Sequence, residues 1–124
     1  MMDKLLEIST TPPDGALAVV TQGKDGPHVV NTWNSYVIIT DGGNLLIPAG
    51  RMQKTEVNVT RDNRVKLTVC NREVQGKSYK GTGVLVEGTA EFKQVGPEFE
   101  AVKGKFPWAR AALAITVLAI EQTL

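Results

Sequence analysis

The chain has 124 residues, 42% of them hydrophobic, with 14 Lys and Arg against 13 Asp and Glu for a formal net charge of +1. That is enough for one soluble globular domain with a core of its own, spanning residues 1–124. The basic residues are scattered, which argues against nucleic acid or an anionic membrane as the main partner.

The first ten residues carry Asp3, Lys4 and Glu7 and so contain no signal-peptide core. No apolar run approaches the roughly 20 residues a spanning helix needs. The single cysteine, Cys70, allows no internal disulfide. Together these features lead to the expectation of a cytoplasmic protein.

In chain order, Asp3 to Ile8 reads as a short helix stopped by Pro12 and Pro13. Ala16 to Gln22 is a strand, Lys24-Asp25-Gly26-Pro27 a turn, and His28 to Thr40 a second strand. Asp41-Gly42-Gly43 signals a hairpin into a third strand, Asn44 to Pro48. Lys54 to Asp62 shifts to a helical period, and Val65 to Asn71 alternates again. Gln75 to Gly83 holds three glycines and reads as a loop. Val84 to Lys93 is a long strand with a bulge or bend at Gly88, and Pro97 to Lys105 a helix with Pro97 in its first turn. Ala112 to Ile120 is a last apolar strand. Six strands joined by short turns leave no room for parallel crossovers, so the sheet is expected to be antiparallel and to close into a small barrel.

Several chemistries fail on spacing. Gly76-Lys77-Ser78 lacks the glycine a phosphate loop needs five residues earlier, where Asn71 stands. Gly81-Thr82-Gly83 is not extended to a dinucleotide motif, because Val86 occupies the third glycine's place. Asn58-Val59-Thr60 matches a glycosylation sequon without a secretion signal. His28 is the only histidine, so a metal site of several histidines is excluded. Cys70 alternates with its neighbours in a strand, where a lone cysteine is ordinarily a small core residue. No serine sits in a nucleophile elbow.

Two stretches remain. Asn31-Thr32-Trp33-Asn34-Ser35-Tyr36 packs amides, hydroxyls and two aromatic rings where a strand would alternate. Such groups can hold a polyol chain and stack on a heteroaromatic ring, provided a bend brings Trp33 and Tyr36 to one side. The other reading makes Trp33 core and the polar residues solvated. Downstream, Gly50 permits an unusual turn or a close approach, and Lys54-Thr55 stands at a helix start. Free N–H groups, the dipole, a lysine and a hydroxyl make a site for one phosphate. Equally, Thr55 is a cap and Lys54 is solvated.

The segments TQGKDGPHVVNTWNSY, PAGRMQKTEVNVTRD, GTGVLVEGTAEF, GPEFEAVKGKF and WARAALAITVLAIEQTL resemble those of the small bacterial FMN-binding proteins. These belong to the flavin-binding split-barrel group, with pyridoxamine phosphate oxidase as a distant relative. The resemblance runs almost without gaps from Ala16 to Leu124. It implies an all-β fold with short helices, a six-stranded antiparallel Greek-key split barrel, as a homodimer with non-covalent FMN. It implies that Lys54 and Thr55 hold the phosphate, with Thr32 and Gln53 nearby, and that Asn31, Trp33, Asn34 and Ser35 line the flavin. Pro48, Ala49 and Gly50 would bring backbone to the ring, and Tyr36 and Trp108 would be aromatic neighbours. Leu124 would reach the flavin from the other subunit, and Asp14 falls where the group places an acidic residue near it. Arg51 adds a positive charge beside the cofactor, and Pro107 can re-aim the Trp108 indole.

With no dedicated acid, base or nucleophile in the pattern and no catalytic residue assigned, the implied role is electron transfer with a redox partner protein such as a cytochrome. A flavin reductase or pyridoxamine phosphate oxidase-like oxidoreductase, and an FMN storage or sensor protein, are the alternatives.

Overall fold

The computed structural model describes every residue, Met1–Leu124. The strands are β1 (Ala16–Gly23), β2 (Gly26–Trp33), β3 (Ile38–Ile39), β4 (Leu45–Ala49), β5 (Arg64–Gln75), β6 (Lys80–Lys93) and β7 (Ala111–Gln122). The helices are α1 (Met2–Thr10), α2 (Gln53–Arg61) and α3 (Pro97–Lys105). All strand pairings are antiparallel, in the order β2-β1-β5-β6-β7-β4-β3.

The sheet therefore has seven strands rather than six. The difference lies in His28 to Thr40, which is not one strand. A 3-10 turn at Asn34–Tyr36 breaks it into β2 and β3. Backbone pairing gives way there to other partners: the Asn34 N–H donates to the Gly15 carbonyl at 2.8 Å, and the Ser35 N–H to Asp14 Oδ1 at 3.0 Å. β2 and β3 are the two ends of the strand order yet adjacent in the chain. The sheet rolls until its edges lie close, but β2 and β3 do not pair, and the barrel stays split along that line.

Alternation carries the core. β5 alternates exposed and buried residues along most of its length, placing Val65, Leu67 and Val69 inward. They meet Leu17 and Val19 of β1, Leu45 and Ile47 of β4, Val84 and Val86 of β6, and Leu113 and Ile115 of β7 in one cluster. Each fully buried Leu or Ile contributes roughly 1.5–3 kcal/mol of transfer free energy. α1 closes one end with Leu5 and Ile8. Asn71 Nδ2 of β5 satisfies carbonyls at the end of α1, donating to Thr11 O at 2.6 Å and Ile8 O at 3.4 Å. α3 packs outside on a small second cluster of Leu46, Val102, Ala109 and Ala112.

The bulge expected at Gly88 is present. Between Glu87 and Gly88 the β6–β7 register shifts, and the residue left over is Leu118 of β7. A Cβ on Gly88 would lie 2.1 Å from the Thr116 carbonyl oxygen, so only glycine fits. The loop expected from Gln75 to Gly83 shrinks to a tip at Gly76–Tyr79, with the Gly76 N–H donating to Tyr79 O at 2.8 Å. Gly83 serves close packing instead: a Cβ there would meet Thr123 Oγ1 at 2.8 Å and Val69 O at 3.2 Å. Cys70 is exposed rather than core, because β5 alternates and its register turns Val69 inward. No helix is long and apolar enough to cross a membrane.

Candidate functional site

A cleft of about 320 Å³ opens where the barrel is split. One wall is the end of β2, with Val30, Asn31, Thr32 and Trp33, followed by Tyr36 of the 3-10 turn. The other wall runs from Pro48 through Gly50, Arg51 and Met52, with Trp108 above it. The bend that Trp33 and Tyr36 needed is thus the 3-10 turn. Both residues line the cleft, and Trp33 is 49% exposed rather than core.

Trp108 stands on a turn closed by the Ala109 N–H to Phe106 O at 2.9 Å. Pro107 occupies the second position of that turn, where its fixed φ is favourable. The indole packs at 5.5 Å from Tyr36 and 5.8 Å from Phe106, between ring centroids, and Tyr36 and Phe106 are 5.0 Å apart. It also lies directly on Gly50, where a Cβ would meet its ring atoms at 3.2 and 3.3 Å. Gly50 therefore serves a close approach, and the approaching group within this chain is Trp108. Even so, Trp108 remains 50% exposed. Two half-open indoles flanking one cleft are apolar surfaces suited to stacking on a flat ring.

The cleft ends at Met52, the N-cap residue of α2. Met52 has φ 62° and ψ 32°, a left-handed conformation that a non-glycine residue adopts at a cost. It offers no side-chain hydrogen bond to the helix, so the first-turn N–H groups of α2 are uncapped and the dipole end is open. Thr55 lies in that turn, 1% exposed, and its Oγ1 has no hydrogen-bond partner. A buried hydroxyl left so costs roughly 1–3 kcal/mol, and here it is neither the helix cap nor solvated. Gln53 and Lys54 are exposed beside it. Lys54 lines a second cleft of about 340 Å³ with Lys24, Asp25, His28 and Arg61. The Lys54 ammonium, the free N–H groups of the first turn and the orphaned Thr55 hydroxyl are donors of the kind that an anion requires.

Other candidates lie elsewhere. Asn34 is buried, and its Nδ2 donates to the Cys70 carbonyl at 2.7 Å, tying the 3-10 turn to β5. Ser35 Oγ donates to Asp14 Oδ2 at 2.6 Å. Neither lines the cleft. Partial desolvation raises the Asp14 carboxyl, but hydrogen bonds from Ser35 Oγ, Ser35 N–H and Gly15 N–H outweigh it and hold the group below its ordinary value. Asn31 lines the cleft and also donates to Leu17 O at 3.3 Å. Ala49 is fully buried and accepts the Arg110 N–H at 2.9 Å. Leu124 is exposed two residues beyond β7, where its carbonyl accepts Thr82 Oγ1 at 3.0 Å, and it does not line this chain's own cleft. Phe106, Met52 and Arg110 were not singled out in the sequence. Phe106 follows from its closeness to Trp108, and the signal for Arg110 is a lone cation heading an apolar strand.

The family model for pyridoxamine 5'-phosphate oxidase matches residues 1–123. An FMN-binding protein of Nitratidesulfovibrio vulgaris (strain Miyazaki F) is 55% identical over 111 residues, covering 90% of each chain. Among solved structures, an FMN-binding protein from Syntrophomonas wolfei superposes with a TM-score of 0.74 at 13% identity, over 99% of this chain and 86% of that one. HupZ of Group A Streptococcus gives 0.73 at 20% identity, over 98% of this chain and 90% of that one. At such identities the structural likeness speaks for the fold, and it agrees with the split seven-stranded sheet. By both the extent of the family match and the identity of the curated relative, the chain belongs to the pyridoxamine 5'-phosphate oxidase family.

Proposed function

We propose that this chain binds FMN non-covalently at the split of its barrel and serves as a small electron-transfer flavoprotein. The observation that carries the reading is Thr55: a buried, unpartnered hydroxyl in the first turn of an uncapped helix whose N-cap residue, Met52, lines a cleft flanked by two half-exposed tryptophans. Lys54, Thr55 and the N–H groups of α2 take the phosphate, with Thr32 and Gln53 nearby. Asn31, Trp33, Tyr36 and Trp108 meet the ring and its polyol chain, and Pro48 and Gly50 present backbone to it. The 55% identical relative, itself named as an FMN-binding protein, supports the same cofactor.

FMN supplies one- and two-electron chemistry, and the protein sets its binding and potential. The residues lining the cleft include no carboxylate, histidine or cysteine; Arg51 and Tyr36 are its titratable members. That composition suits a carrier better than an enzyme that must move protons on a substrate. In this proposal the protein works as a homodimer in which Leu124, and with it Asn34, Ser35 and Ala49, completes or supports the flavin environment. Electrons pass to a redox partner protein such as a cytochrome. Stopped-flow mixing of the reduced holoprotein with a cytochrome should show rapid single-turnover oxidation, and the protein should not sustain turnover of NAD(P)H. Multiple-turnover NAD(P)H oxidation without added redox protein would replace the carrier by a flavin reductase.

A further inference from the structure

Arg110 is a lone cation between two buried alanines, Ala109 and Ala111, at the head of β7. Its Nε and Nη2 donate to the Arg51 carbonyl at 2.9 and 2.6 Å, and its Nη1 donates to Glu56 Oε1 at 2.8 Å. Its backbone N–H adds the bond to Ala49 O at 2.9 Å. One residue thus grips the chain before the turn into α2, within it, and one helical turn beyond it.

That segment needs bracing. Met52 holds a left-handed conformation inside it, and such backbone persists only where the surroundings fix it. Glu56 is a second concern. A carboxylate in the first turn favours the helix itself, yet it opposes any other anion gathered at the same N-terminus. Pairing with the half-buried Arg110 offsets that charge.

We infer that Arg110 is a positioning residue for the phosphate end of the cleft. It braces the turn that presents the free N–H groups of α2 and neutralises the carboxylate of Glu56, so that the protein selects a phosphorylated flavin over an unphosphorylated one. The inference rests on the FMN reading above. Trp108 and Arg110 stand two residues apart, so a single short segment sets both the aromatic wall and the anion-binding turn.

The test compares FMN with riboflavin, which shares the ring and polyol chain but lacks the phosphate. The apoprotein of wild type, R110Q and R110K is titrated with each flavin by fluorescence, and each variant is melted to check its fold. Wild type should prefer FMN by about tenfold or more. R110Q should lose most of that preference while its riboflavin affinity moves by less than about twofold. R110K keeps the charge opposite Glu56 but not the fork on the Arg51 carbonyl, and should retain part of the preference. Equal weakening of both flavins, or an undiminished preference for FMN in R110Q, would overturn the inference. If R110Q does not fold, R110K decides: full preference overturns it. A wild type with no preference for FMN would overturn the assignment of α2 as the phosphate site instead.

Discussion

At the level of single residues, Thr55 and Lys54 are the proposed phosphate ligands, and substitutions there separate binding from stability. Thr55 Oγ1 is buried without a partner, so the free protein bears the cost of its desolvation. Replacing it by the isosteric Val removes that cost. Thr55→Val should therefore stabilise the apoprotein by about 1 kcal/mol in chemical denaturation and weaken FMN in the same variant. A destabilised apoprotein with unchanged FMN affinity would mean that the hydroxyl has a structural partner and no ligand. Lys54→Ala should leave stability nearly unchanged, because the side chain is exposed, and weaken FMN by roughly 1.5–3 kcal/mol through loss of charge-assisted hydrogen bonds. Titration of the apoprotein checks both. The donor types were legible in the sequence as Lys54-Thr55 at a helix start. That Thr55 is orphaned rather than capping was not, because it depends on Met52 taking the cap position in a left-handed conformation.

Among the elements, α3 (Pro97–Lys105) is where the sequence pattern placed it, because Pro97 in the first turn and a following helical period are local signals. The break at Asn34–Tyr36 was not legible as a position. It is fixed by partners distant in sequence: the Cys70 carbonyl for Asn34 and the Asp14 carboxylate for Ser35. The composition of the stretch signalled only that it was no ordinary strand. The pattern gives too short a β5–β6 hairpin for a similar reason, since Gly76 and Gly83 resemble loop residues but serve close packing. The Asp14 tie makes the 3-10 turn sensitive to acid. Its folded pKa lies below the ordinary 3.8, so its contribution is present above that value and is lost as pH falls through the folded one. Asp62, held at about 2 by hydrogen bonds from Arg64, behaves likewise at the end of α2. Stability should thus fall from about pH 4 downward, and Asp14→Asn should flatten the upper part of that decline. An acid limb identical in the variant would show that Ser35 does not depend on the carboxylate.

The molecule as a whole is an antiparallel sheet whose two ends, β2 and β3, are adjacent in the chain yet unpaired, and the cleft lies between β2 and the turn from β4 into α2. Alternation in β5 and the run of short strands joined by turns made the all-β class legible from the pattern. The split was not, because the strand-like ends of His28 to Thr40 make the stretch resemble one strand running through Asn34–Tyr36. Leu124 belongs to this scale. It is exposed, anchored through its carbonyl to Thr82, and outside the lining of this chain's cleft, and the proposed role for it is in the flavin site of a second copy. Deleting Leu124 should shift the flavin absorption or the reduction potential while leaving the melting of the apoprotein unchanged within about 0.5 kcal/mol. Sedimentation should give a dimer for both proteins. Identical flavin properties after the deletion would remove the C-terminus from the site.

Whether the split of this barrel holds FMN is decided by the visible absorption spectrum of the purified protein, followed by release and identification of its chromophore. A yellow protein that gives up FMN on heating is the predicted result. A colourless protein that takes up no added FMN would contradict the claim, leaving Asn31 to Tyr36 as barrel structure and Thr55 as a hydroxyl without a ligand.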